Sequence, residues 1–133
     1  MNKKKIVRIG CASAFWGDTS TAAAQLVTKG NLDYLVFDFL AEVTMSILAR
    51  AKKRNPNLGF ATDFPDHIIP LLKIIKKKKI KIISNAGGIN PTACMEIILK
   101  GAQKLGLKIN IAVLQGDDMI TKFPVLKKQN IIE

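Results

Sequence analysis

Five carboxylates stand where the chain leaves an apolar run or enters a helical pattern: Asp18, Asp38, Glu42, Asp117 and Asp118. Two or more such groups brought together can hold a divalent cation or divide general acid and base work between them. Plainer roles exist for several. Asp18 is placed to cap a helix, Glu42 falls in a first helical turn where a negative charge complements the helix dipole, and one of the adjacent Asp117 and Asp118 is ordinarily solvated. Glu42, Asp117 and Asp118 are therefore the candidate catalytic residues, and no metal site is assigned.

The run Asn85-Ala86-Gly87-Gly88-Ile89-Asn90-Pro91 carries a different chemistry. Two glycines let the backbone approach a ligand closely, and Asn90 before Pro91 predicts a helix N-terminus whose free N–H groups attract phosphate or carboxylate. A tight strand-to-helix turn that binds nothing uses the same residues. Asn85, Gly87, Gly88 and Asn90, with Gly10, Ser13 and Asp18 of the first loop, form the candidate ligand-binding set. Other residues carry less. His67 has no serine or cysteine arranged around it, and Trp16 either covers part of the ligand edge or simply packs. Cys11 after a strand and Cys94 at a helix start occupy positions that can lower a thiol pKa, although small buried cysteines are commoner. Neither GxGxxG nor GxxxxGK[ST] occurs.

These residues can meet only if the elements between them bring their loops to one edge. Short β-rich runs alternate with helical patterns, predicting strands over 5–9, 34–39, 80–84 and 109–114 and helices over 19–28, 41–54, 63–78 and 92–105. Gly30 reads as a left-handed stop to the first helix, Pro70 as a bend in the third, and Asn90 and Pro91 as cap and first residue of the fourth. Strand, helix, strand, two-part crossover, strand, helix, strand is the order of a right-handed parallel sheet. The expected fold is α/β: a parallel sheet of about four strands with helices on both faces, doubly wound and Rossmann-like in three layers, with part of a barrel as the alternative. Ligands bind outside the carboxyl ends of such strands, where loops 10–18, 38–42, 85–91 and 116–118 converge. After the fourth strand only residues 119–133 remain, without a clear amphipathic helix. The domain therefore reads as incomplete, an α/β unit over 1–118 followed by a tail over 119–133.

A chain of 133 residues that is 48% apolar and 23% charged makes one soluble domain. No run approaches the roughly 18 apolar residues a membrane helix needs, and Arg8 interrupts the only stretch resembling a secretion signal. Two cysteines far apart, in no metal-ligand spacing, read as free thiols in a reducing compartment, so the cytoplasm is expected. The net charge of +11 is concentrated in 3–8, 66–81 and 122–128. Lysines outnumber arginines by 18 to 3, and no aromatic residue is interleaved with them for base stacking. A solvated lysine face is the preferred account; the runner-up is a basic nucleic-acid-binding module using Lys73, Lys76, Lys77, Lys78, Lys79 and Lys81.

Ile9-Gly10 through Gly17-Asp18, Leu32-Asp33-Tyr34-Leu35-Val36-Phe37 with Leu40-Ala41-Glu42, Ile83-Ser84-Asn85 through Pro91, and Gly116-Asp117-Asp118 together resemble the N-terminal region of the acyclic terpene utilisation AtuA family. Nearly all of residues 6–118 takes part, and the four motifs are the same four loops that topology places at one edge. The resemblance implies a part in bacterial breakdown of acyclic terpenoids such as citronellol and geraniol, alongside acyl-CoA-processing enzymes. A small anionic or acyl-CoA-like ligand is then expected, while neither a reaction nor a cofactor follows. Cys11 stands where the family commonly has glycine, and Asp38 where it commonly has glutamate. Members are several-fold longer, so this chain is expected to be an N-terminal piece or a reduced relative, completed by a missing C-terminal region or by self-association.

Overall fold

The computed structural model describes residues 6–117 and 119–131. Three strands, β1 (Ile9–Cys11), β2 (Tyr34–Phe37) and β3 (Lys81–Ser84), form a parallel sheet in that order. The helices are α1 (Ala22–Lys29), α2 (Glu42–Arg54), α3 (Asp63–Ile68), α4 (Leu72–Lys78), α5 (Pro91–Lys104) and α6 (Phe123–Lys128). Pro70 lies in a 3₁₀ turn, Ile69–Leu71, between α3 and α4, which realises the predicted bend: a proline inside the pattern removes one donor and tightens the turn. Pro91 opens α5 behind Asn90, whose side chain accepts from the Ala93 N–H.

Register places Ile9 level with Tyr34 and Tyr34 with Lys81, so Leu35 shares a face with Gly10 and Ile82. Leu35 and Phe37 are buried on that face in one cluster with Ala12, Val27, Phe64, Ile68, Ile75 and Ile98. The opposite face carries Ile9, 65% exposed, and Ile83, 54% exposed. The strands follow one another in sequence order, so each right-handed crossover lays its helix on the same side. This corrects the expectation of helices on both faces: among the described residues the sheet is covered on one face only.

The expected fourth strand also does not join the sheet. Residues 109–114 alternate between partly buried and exposed, as a strand does, yet among the described residues no ladder joins them to β3. Ile109 and Ile111 pack against the core through their side chains. Bonds from Lys76 Nζ to the Lys108 carbonyl at 2.8 Å and from Gln115 Nε2 to Thr92 Oγ1 at 2.7 Å hold the two ends of the segment to α4 and α5. Contrary to expectation, the tail contains the short helix α6, with Pro124 in its first turn.

Two local expectations change for identifiable reasons. α1 starts later than the residues suggested, because the Asp18 carboxylate turns back to accept from the Ala14 N–H at 2.9 Å and closes the first loop instead of capping a helix. Gly30 is extended, φ −76° and ψ 151°, not left-handed. Its missing side chain lets it sit against the Leu26 carbonyl, which an added Cβ would overlap, with Leu32 Cγ next at 3.2 Å.

Several lysines have structural partners. Lys78 Nζ donates to the carbonyls of Val27 and Thr28, each at 2.7 Å, where the end of α1 leaves acceptors unpaired and carries negative partial charge. Lys78→Met, which keeps the apolar stem, is expected to lower stability by about 1–2 kcal/mol in urea unfolding. The same change at exposed Lys73 is expected to leave the midpoint where it is.

Candidate functional site

Three loops at the carboxyl ends of the strands are tied into one knot. Ser13, only 6% exposed, donates from Oγ to the Asp38 carbonyl at 3.2 Å, and the Asp38 N–H donates to the Ser13 carbonyl at 3.2 Å. Asn85 closes the knot from the third loop: its Nδ2 donates to Asp38 Oδ1 at 2.7 Å, and its Oδ1 accepts from the Phe39 N–H at 2.8 Å. Asp38, a sequence-level carboxylate candidate without an assigned role, is thus the hub on which the loops after β1 and β3 converge. Its paired, strand-terminal position was the one signal for this in the sequence.

The loop after β3 is seated on residues 59–61. The Ala61 N–H donates to the Ala86 carbonyl at 2.8 Å and the Ile89 N–H to the Gly59 carbonyl at 3.0 Å. Asn90 caps α5 and donates from Nδ2 to the Pro56 and Leu58 carbonyls, both at 2.8 Å. Lys52 of α2, which the sequence did not single out, donates to the Ile89 carbonyl at 2.6 Å. Gly10 packs under Leu32, whose terminal Cδ1 would have to move aside for an added Cβ only 2.7 Å away. Much of the candidate ligand-binding set therefore builds and fixes the edge.

A cleft of about 540 Å³ opens beside this frame, lined by Leu40, Asn85, Gly87, Gly88, Pro91 and Asp117, among others. Asp117 is exposed and lines the cleft together with Val113 and Leu114 of the same segment. Glu42 is exposed at the first turn of α2 and does not line the cleft, and Asp118 lies outside the described residues. Asp18 is engaged in its own loop. Among the described residues, no group of three His, Cys, Asp or Glu side chains lies close enough to hold a metal ion.

Both cysteines are free, Cys11 exposed and Cys94 buried. Cys11 Sγ donates to the Ser13 carbonyl at 3.2 Å. Burial pushes the Cys94 thiol up to about 11, so at pH 8 about one part in a thousand is thiolate. A disulfide reagent at pH 8 is expected to label one thiol rapidly, Cys11, and the second only as fast as the chain opens. Cys11→Ser should abolish the rapid phase.

The fold and edge define a parallel α/β protein with its cleft at the carboxyl ends of the strands. The sequence profile of the acyclic terpene utilisation family protein AtuA matches residues 7–133, and the chain belongs to that family. Comparison with the curated proteins and with the solved structures gives no match.

Proposed function

We propose that the chain binds a small anionic or acyl-CoA-like molecule of acyclic terpenoid catabolism in the cleft at the loop edge. The observation that carries this reading is the Ser13–Asp38–Asn85 knot beside the cleft, because a frame locked by side-chain bonds before the ligand arrives loses little entropy on binding. Gly87 and Gly88 leave the backbone accessible in the cleft wall, and the excess positive charge of the chain raises the local concentration of anions. Asp117 is the carboxylate free to accept or deliver a proton, with Asp118 beside it in sequence and Glu42 at the neighbouring helix start. The setting is the cytoplasm. The uncovered sheet face is where a further region or a second copy would complete a three-layer, Rossmann-like arrangement, since parallel sheets are ordinarily covered on both faces.

Calorimetric titration with octanoyl-CoA and a branched ten-carbon acyl-CoA tests the reading. Saturable binding is expected, weakened at least 10-fold by Asn85→Ala. Asp117→Asn, a change at an exposed position, is expected to tighten binding a few-fold by removing a like charge while abolishing any turnover. Absence of heat with either ligand overturns the reading.

A further inference from the structure

Among the described residues, no backbone hydrogen bond joins β3 to residues 108–117. The Lys81 N–H donates to the Asp33 carbonyl at 3.0 Å, so by alternation along the strand the N–H and C=O groups of Ile82 and Ser84 point away from β2. They open into a cleft of about 780 Å³ that continues the loop-edge cleft toward the amino end of β3, sharing Phe64, Ile82, Ser84 and Ile98 with it, and whose far wall is the strand-like segment 108–112. Its floor includes Phe64, Ile68, Leu72 and Ile98, all buried members of the core. Lys79, Lys81 and Lys108 line it toward the amino end of β3, opposite the loop edge, and all three are exposed.

We propose that this cleft seats one extended segment of a partner polypeptide, paired with the free edge of β3. Alternate apolar side chains of that segment would lie on the floor, and acidic residues would lie at its end beside the three lysines. Two walls of extended backbone with an apolar floor between them match the way sheet edges capture a strand, with main-chain bonds for affinity and alternate side chains for selectivity. A purely aliphatic ligand would fill the floor but leave the Ile82 and Ser84 backbone groups covered and unpaired, which is costly. A second copy pairing through its own β3 would offer Lys81-Ile82-Ile83-Ser84, with no acidic residue for the lysine end of the cleft. The chain's own segment 109–114 is held as the far wall by the Lys76–Lys108 and Gln115–Thr92 bonds.

Fluorescence anisotropy of the labelled peptide Glu-Glu-Val-Thr-Val-Thr-Val against the full chain, with amide hydrogen exchange on the complex, tests the proposal. Expected are saturable binding and slowed exchange at Ile82 and Ser84. A peptide N-methylated at alternate residues should bind at least 10-fold more weakly, and a Lys-Lys-flanked version several-fold more weakly. Lys79→Glu with Lys108→Glu, both at exposed positions, should invert the preference between the two flanks. Absence of binding, or equal binding of the N-methylated peptide, overturns the proposal. So does slow exchange at Ile82 and Ser84 in the chain alone, which would place segment 109–114 or a second copy on the edge. Competition by decanoate without slowed exchange would overturn it in favour of a small-molecule cleft.

Discussion

Phe39→Ala is expected to destabilise the chain by about 3–5 kcal/mol, a fall in melting temperature of roughly 12–20 °C for a domain of this size. Phe39 is 1% exposed. Its ring stacks on Phe37 with centroids 5.9 Å apart and meets Phe64 edge-on at 5.8 Å. Truncation removes both aromatic contacts and leaves a void between the sheet and α3 that the surrounding helices cannot fill without shifting. The backbone N–H of the same residue is held by Asn85 Oδ1, so the loss should propagate to the loop edge. Binding of the acyl-CoA proposed for the cleft is then expected to be lost in this variant at temperatures where the chain is still folded. A shift below about 1 kcal/mol in urea unfolding would show that the three phenylalanines are not the centre of the core.

Gly88→Ala is expected to cost about 2–4 kcal/mol, from strain and overpacking together. Gly88 has φ +51°, and an added Cβ would overlap Leu48 Cδ1 and lie 2.8 Å from the Gly59 carbonyl. Neither neighbour can retreat easily. Leu48 is 1% exposed, and the Gly59 carbonyl accepts from the Ile89 N–H, so moving it breaks the seat of the loop after β3. Gly106→Ala supplies the control: its φ is +68° and nothing lies within 4 Å of the added atom, so only the backbone strain of about 1 kcal/mol should appear. Equal losses at the two sites in urea unfolding would show that the Gly88 contact relaxes without penalty.

The elements with a local cause were legible. α2, predicted over 41–54 and found at Glu42–Arg54, has a helical apolar spacing and a terminating Asn55-Pro56-Asn57. α5 begins where Asn90 and Pro91 place it, because capping and a preset φ act within one turn. The bend at Pro70 follows from a missing donor. The first strand was less legible. It forms at Ile9–Cys11, later than 5–9, because its start is set by a distant partner: the Arg8 N–H donates to Asp33 Oδ2 at 2.8 Å. The ligand-set residues were placed at the right edge by topology, but what their side chains do there was not. Asn85 and Asp38 are 47 residues apart, and no local pattern announces that one will bind the other.

By itself, the sequence determined the α/β alternation, the extent of α2 and the start of α5, the convergence of the loops at one edge and the membership of a family whose profile covers residues 7–133. Each of these depends on periodicity, capping or motif order, which act within a turn or between neighbours along the chain. Only the tertiary structure decided that the sheet has three bonded strands with one covered face, that Asp38 is a hub and Asp18 a loop clasp, and that a cleft separates β3 from residues 108–112. The alternation of apolar residues over 109–114 states that the segment is extended, not what lies beside it. Strand pairing is a contest between distant backbone groups, and here side-chain bonds from Lys76 and Gln115 hold both ends of the segment clear of the ladder.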